Sequence, residues 1–484
     1  MALLGLSIQA RAGGFETGFL GTRALGRGGA FVTRSDDQTA LAWNPAGLAV
    51  PMTPSIELSV GTIWAGLRGA RDGTDPQTGA PYVQDHNHAG PGPIPFLAGG
   101  LPISRDVVLS LGIYAPSASG RAFFDPAGPL RDAFVSMDLW MVQYALGLGW
   151  KVHPDLRLGI AVEIPHLWKA RLVQGVNGWF GDGGPQPGYD LLARLRLAGG
   201  AGARLQLGAL WNLPVPGLSL GLAVRPFPAR IVTSGRLEPE YPGAWLSRLN
   251  QAGRLRLTDD RASMDLALPP TALLGVRYAF HNAGVEWFDV EVDGGWEGWS
   301  VMDRQTIRLP GSLAIRQDVG ADELHPFQDL TIARQWRDGW SVRLGSDWTI
   351  VPWRWKARAG IAWESAVVPD RTLRLDFPST ERWTVGVGME VSLGTWRLAL
   401  SYAHVAAPAR TVRESLVRTE MPLSPCRPPY QDASCPVSGE PPGPVVGTGR
   451  YRMAWDLLSV SVTWLPRNGT DRTFSHQPRE RTPR

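Results

Sequence analysis

Few residues of this chain have the types and spacing for covalent chemistry. Cys426 and Cys435 stand close together in a Pro-rich segment. A zinc site needs about four ligands, and no clustered His/Cys set supplies them. A local disulfide in an exposed loop, made in an oxidising compartment, fits the pair better, with two free thiols as the alternative. His86 and His88 are either adventitious metal ligands or ordinary loop residues. No G-x-S-x-G elbow stands between a strand and a helix, so the Ser, His and Asp residues lack a framework for acyl transfer. The expectation is a protein that is not an enzyme and carries no cofactor and no metal.

The elements that would position any site are strands. The chain has 484 residues, 44% of them hydrophobic, with 57 Gly and 21 Trp. Mean hydropathy is -0.11, and no apolar run reaches the ~18 residues of a membrane helix. The net charge of +4 is mild. Basic residues are mostly Arg, the lysines being Lys151, Lys169 and Lys356, and no Lys/Arg block points to nucleic acid. In RWTVGVGMEVSL (382–393) apolar residues alternate with small or polar ones, the period of a strand with one greasy face. The same alternation runs through 140–151, 156–164, 355–364, 396–403 and 458–464.

Which face is wet follows from two features. The apolar faces begin or end in tryptophan: Trp140, Trp150, Trp355, Trp363, Trp383, Trp396 and Trp464. Aromatic rings at both ends of an apolar band are the girdles of a membrane barrel. The opposite face mixes Gly and Ala with full charges, which suits a lumen better than a solvated sheet face. The predicted fold is all-β: a fourteen-stranded antiparallel transmembrane β-barrel, with strands near 54–67, 93–103, 106–117, 137–152, 156–171, 198–213, 217–236, 264–280, 283–300, 338–351, 353–366, 380–393, 396–414 and 450–464. Residues 329–336 offer an extra strand. Short and long connections alternate, the short ones being periplasmic turns and the long ones extracellular loops.

Residues 1–12 resemble the end of a secretory signal, with Ala10-Arg11-Ala12 as a cleavage-like site and a mature start near Gly13. Residues 465–484, rich in Arg, Thr and Pro, read as a disordered periplasmic tail. Residues 13–53 show no sustained alternation. A short helix is expected from Asp36-Asp37 to Trp43, capped by Ser35 or an Asp and stopped at Asn44-Pro45. So short a segment cannot hold its own core and needs the barrel lumen (54–464) as a surface, making it an N-terminal hatch that plugs the lumen. Asn44 and Pro45 would hold its turn, with small Ala46 and Gly47 letting it pass close to the wall. The third outer loop carries Val173, Val176, Trp179, Phe180, Tyr189, Leu191 and Leu192, and the fourth Tyr241, Trp245, Leu246 and Leu249. Exposed apolar clusters either bind something or pack on each other as a lid.

ALGRGGAF followed by SDDQTALAWNPAGLA resembles the hatch of the outer-membrane long-chain fatty-acid transporter (FadL) family, with Asn44-Pro45-Ala46 as the hallmark. LPPTALLGVRYAF, WRDGWSVRLGSDW, WKARAGIAWESAVVPDRT, FPSTERWTVGVGMEV and LALSYAHV follow in the family's order. The resemblance implies passive uptake of hydrophobic small molecules, fatty acids or related lipids and hydrocarbons. Ligands would be captured in a groove between the third and fourth outer loops, passed to an interior pocket and released sideways near a kinked third strand. The candidates there are Gly112, Pro116 and Gly120, although Pro116 equally suits a plain strand end. By rough alignment Arg171 matches a head-group contact, and Arg304 and Arg308 lie near a second one; the alternative for each is lumen salt-bridging to residues such as Glu163, Glu364 and Glu390. The partners implied are a hydrophobic ligand and outer-membrane lipid, with the protein a monomer in a Gram-negative outer membrane. The rival readings are a structural or surface-interaction barrel without transport, and an open diffusion porin, which a plugged lumen argues against.

Overall fold

The structure, a computed structural model, describes residues 20–75, 79–115, 120–178, 186–433, 435 and 437–466. Fourteen strands make one antiparallel ring: β1 (Ser55–Arg71), β2 (Gly92–Pro102), β3 (Val107–Tyr114), β4 (Ser136–His153), β5 (Leu156–Asn177), β6 (Arg204–Asn212), β7 (Leu218–Arg225), β8 (Thr271–Asn282), β9 (Val285–Glu297), β10 (Gly339–Val351), β11 (Trp355–Glu364), β12 (Arg382–Leu393), β13 (Trp396–Ala406) and β14 (Gly449–Trp464). Each pairs with the next in chain order. β14 returns to β1, from Ile56 opposite Trp464 to Arg71 opposite Gly449, so the sheet closes on itself. Turns such as 154–155, 283–284 and 394–395 join strands at one end, and connections as long as 226–270 and 407–448 stand at the other. Cys426 and Cys435 are joined within the last of these, Cα to Cα 4.9 Å.

Side-chain direction follows the alternation. In β12, Trp383, Val385, Val387 and Met389 point outward and are about half exposed (48–54%), while Arg382, Thr384, Gly386 and Glu390 are buried inward. An outer apolar face of this kind suits lipid, where every backbone polar group is satisfied within the closed ring. Exposed Trp150, Trp211, Trp287, Trp348, Trp355 and Trp396 stand toward the short-turn end, and Trp64, Trp168, Trp340 and Trp383 toward the loop end, giving two girdles. Among the described residues no helix is long and apolar enough to cross a membrane; the strands do the crossing.

The departures from the sequence reading have local causes. The predicted strand 217–236 is two elements, because Pro226 and Pro228 cannot donate to the ladder. β7 stops at Arg225, and Ala229–Glu240 leaves the ring to pair with Asp190–Ala198 and Arg261–Leu268 in the outer loops. Pro269-Pro270 divides the predicted 264–280 in the same way, and Pro408 ends β13 before the predicted 414. The extra strand expected within 329–336 is present as Leu330–Ala333. The hatch helix is shorter than expected: α1 is Thr22–Gly26, and α2 is only Ala40–Trp43; an Asp does cap the turn that leads into it, Asp37 Oδ1 accepting from Thr39 N (3.0 Å). The expected stop at Asn44 is present; its backbone is extended, and its side chain caps the following 3-10 turn, Pro45–Ala49.

Candidate functional site

Residues 20–50 occupy the lumen and are almost all buried. Their apolar side chains complete a core against the wall: Phe31, Val32 and Trp43 pack with Ala223 of β7 and Leu273 of β8, and Leu20, Leu25, Leu41 and Leu48 join the main core. Charge fixes the register. Arg27, fully buried, meets Asp289 and Glu291 of β9 at 2.9 Å each and Asp347 of β10 at 2.8 Å. The N–H groups of Phe31 and Val32 donate to Asp293 Oδ2 at 2.8 and 3.0 Å, and that of Thr33 to Glu291 Oε1 at 2.7 Å. The wall glycines make this approach possible. A Cβ on Gly159, Gly208, Gly360 or Gly386 would collide with hatch atoms of Ala46, Asn44, Arg27 or Leu25, so a lumen face that looks under-packed in sequence is shaped to the plug.

Asn44 ties the plug at its turn. Its Nδ2 donates to Val32 O (2.9 Å) inside the hatch and to Ala209 O (3.1 Å) on β6, and its Oδ1 accepts from Ala46 N (3.2 Å). Ala46 lies against wall glycines as expected, but Gly47 is small for a different reason: a Cβ there would strike the carbonyl of Ser35 within the hatch. Replacing Asn44 and Pro45 together by Ala is expected to loosen the plug by about 1–3 kcal/mol, since buried partners lose their hydrogen bonds. Planar-bilayer conductance should rise while the barrel's melting temperature stays put; unchanged conductance would mean that Asn44 and Pro45 do not hold the plug.

Farther outward than the hatch, which reaches β1 near Ser55 and Glu57, the inner wall turns apolar. Ile63, Ala122, Met137, Leu139, Phe377 and Trp455 line a cavity of about 80 Å³, with Arg121, Asp376 and Arg382 as its charged members. Phe377 comes from the 365–381 connection, and Asp376 is held by Arg334 at 3.0 Å. Beside this cavity the pairing described for β2 runs on one side only. The β2–β3 ladder ends with Tyr114 opposite Phe96 and Ala115 N donating to Pro95 O (3.0 Å). Residues 116–119 lie outside the described residues; Arg121–Phe123 pairs with β4, Phe123 O accepts from His88 N (2.7 Å), and among the described residues Gly92–Ile94 have ladder partners only on β1. Gly120 borders the cavity; Gly112 sits deeper, facing Leu41 of the hatch. Pro116 lies outside the described residues, as do Trp179 and Phe180.

The third and fourth outer loops meet. Tyr189 stands edge-on to Trp245 of α3 (Ala244–Gln251) with centroids 5.3 Å apart. Leu191, Leu246 and Val176 are buried, while Leu192, Leu249, Val173 and Tyr241 are partly so. Asp190 accepts from Asn177 Nδ2 (2.7 Å) at this junction, and its own carbonyl accepts from Gly243 N (2.9 Å). Burial pushes the Asp190 carboxyl up to about 6; the Asn177 amide pulls it back and Asp132 adds to the rise. An acid raised on folding costs nothing below its ordinary ~3.9 and its full penalty above the raised value, so the loop junction tightens as pH falls from about 6 toward 4.

The three arginines singled out in the sequence do not converge on the cavity. Arg171 is exposed on the outer face of β5, because Lys169 pairs with Trp140 but Leu167 with Met141, leaving Trp168 as an extra residue. One bulged residue turns every following side chain to the other face. Arg304 and Arg308 are exposed on the loop strand Arg304–Arg308, Arg304 beside Asp303 at 3.3 Å. The cavity residues themselves were not singled out. Their signal was present: at Ile63-Trp64, Leu139-Trp140 and Trp455 the alternation fails because both faces are apolar.

The solved structures similar to this chain share its fold. A Pseudomonas aeruginosa FadL homologue superposes with a TM-score of 0.72 at 18% identity, over 94% of this chain and 100% of the other. The Ralstonia pickettii toluene transporter TbuX gives 0.59 at 12%, over 93% and 98%. The Pseudomonas putida toluene transporter TodX gives 0.58 at 14%, over 94% and 98%. No curated protein matches the sequence. The family model of the outer membrane protein transport proteins (OMPP1/FadL/TodX) matches residues 3–399. With most of the chain matched and the hatch and barrel in place, the protein belongs to that family of outer-membrane channels.

Proposed function

We propose that the protein takes up hydrophobic small molecules passively, acting as a monomer. The third and fourth outer loops collect the ligand, the cavity beside Gly120 holds it, and the wall between β2 and β3 lets it leave sideways into the membrane. One observation carries this reading: an apolar cavity set directly against the barrel wall at Gly92 and Gly120. A greasy molecule on that path never crosses the charged layer where Arg27 and Arg34 hold the hatch. Arg121, Asp376 and Arg382, rather than Arg171, would meet a polar end of the ligand. The proteins named as toluene transporters share the fold at 12–14% identity. A cavity of about 80 Å³ admits a small ring or one end of an acyl chain, so toluene and a long-chain fatty acid are both informative probes.

The test fills the cavity. Ala122, buried on its lining, is replaced by Trp, and uptake of each probe into proteoliposomes is followed. Uptake should fall at least tenfold with the barrel's melting temperature unchanged. Wild-type uptake of both probes by a folded Ala122→Trp protein would remove the cavity from the path and favour a barrel that only anchors its loops.

A further inference from the structure

On the outer wall, where β14 closes onto β1, the lipid-facing side chains form an ordered ladder. Upward along β1 they are Ile56, Leu58, Val60, Thr62, Trp64, Gly66 and Arg68; along β14 they are Trp464, Val462, Val460, Leu458, Asp456, Ala454, Arg452 and Arg450. Arg68 lies directly opposite Arg452, and Arg450 is one step above, opposite Ala70. On the other side of Arg68 stands His86. All three arginines are exposed, and none has an ion pair or side-chain hydrogen bond among the described residues. The nearest acid on the same face below them, Asp456, already accepts from Tyr402 (2.6 Å) and His404 (2.8 Å). Asp72, beyond the end of β1, is the acid above.

Like charges directly opposite on a sheet face are destabilising, so an unneutralised Arg–Arg pair calls for an anion. Its height says which. The Arg68–Arg452 pair is twelve residues above the Ile56–Trp464 pair. At ~3.3 Å per residue and ~40° of tilt that is about 30 Å, just past the ~25 Å apolar band and above the Trp64 girdle. This is the headgroup level of the outer leaflet. Guanidinium forks suit phosphate oxygens, and basic clusters at this depth bind anionic lipid. His86 also stands with Asp85 and His88, their ligand atoms within 4.8 Å of one another, but a row of arginines beside it opposes a metal cation and favours an anion.

We infer that Arg68, Arg450 and Arg452 form a docking site for the phosphates of a phosphorylated glycolipid of the outer leaflet. The site lies on the outer wall and does not depend on what passes through the cavity.

The test compares wild type with Arg68→Gln/Arg450→Gln/Arg452→Gln in detergent, by native mass spectrometry and thermal unfolding. The probes are diphosphoryl lipid A and its fully dephosphorylated form. Without lipid, the triple variant should be at least as stable as wild type, because the repulsion is gone. Diphosphoryl lipid A should bind wild type at least tenfold more tightly than the dephosphorylated form, weaken with salt, and lose most of that preference in the variant. Arg452→Gln alone carries the same comparison if the triple variant does not fold. A loss below threefold, or equal binding of the dephosphorylated lipid by wild type, overturns the site.

Discussion

Replacing Arg27 by Met should undock the hatch while leaving the barrel folded. Arg27 lies fully buried between Asp289, Glu291 and Asp347, three carboxylates on two adjacent strands. Removing one partner of a buried ion pair costs about 3–5 kcal/mol, because the remaining charge is neither hydrated nor compensated. Neighbours soften the loss unevenly. Asp289 keeps Arg277 at 2.5 Å and Asp347 keeps Arg358 at 3.5 Å, whereas Glu291 is left with the hatch N–H groups of Thr33 and Arg34. Met fills much of the Arg volume, so the effect is charge and not a cavity. Of these side chains only Asp289 bonds β9 to β10, accepting from Asp347 N at 2.7 Å, and that bond does not need Arg27, so the melting temperature of the barrel should barely move. Conductance in planar bilayers should rise, and protease should cut within residues 20–50. Arg27→Lys, which keeps the charge but not the fork, should fall between. Wild-type conductance and protease resistance in Arg27→Met would show that the plug is held by packing alone.

The barrel was legible because a closed sheet in lipid writes its two faces into every strand at period two. Where physics adds a second demand, the pattern blurs. Ile63 faces the cavity and Trp64 the lipid, so the pair looks like a run without alternation. Trp168 shows a harder limit: a single bulged residue turned Arg171 outward, and a bulge depends on which strand lies opposite, which local sequence does not state. The hatch was legible as a segment unable to hold a core. Its partners were not, since Asp289, Glu291 and Asp347 sit far along the chain among ordinary alternating charges. The outer loops were legible only as apolar clusters. Tyr189 and Trp245 come from different connections, and nothing local tells that their rings meet.

The sharpest test of the two faces uses neighbours on one strand. Val387 points into the apolar band, opposite Ala359 on β11 and Tyr402 on β13, and is about half exposed on the outer wall. Arg at this position must place a guanidinium near mid-membrane, at a cost of about 2–4 kcal/mol. The loss should appear as a lower urea midpoint in refolding into lipid vesicles, and it should shrink in a thinner bilayer, where the charge reaches the interface sooner. The adjacent residue, Gly386, points the other way, and a Cβ there would press on the carbonyl of Leu25 in the hatch. Gly386→Ala is therefore expected to leave the urea midpoint nearly unchanged and to raise ion conductance instead. One step along the backbone should thus exchange a membrane defect for a plug defect. If Val387→Arg raised conductance without lowering the midpoint, or if Gly386→Ala destabilised the barrel as much as Val387→Arg, the assignment of lipid and lumen faces on β12 would be reversed.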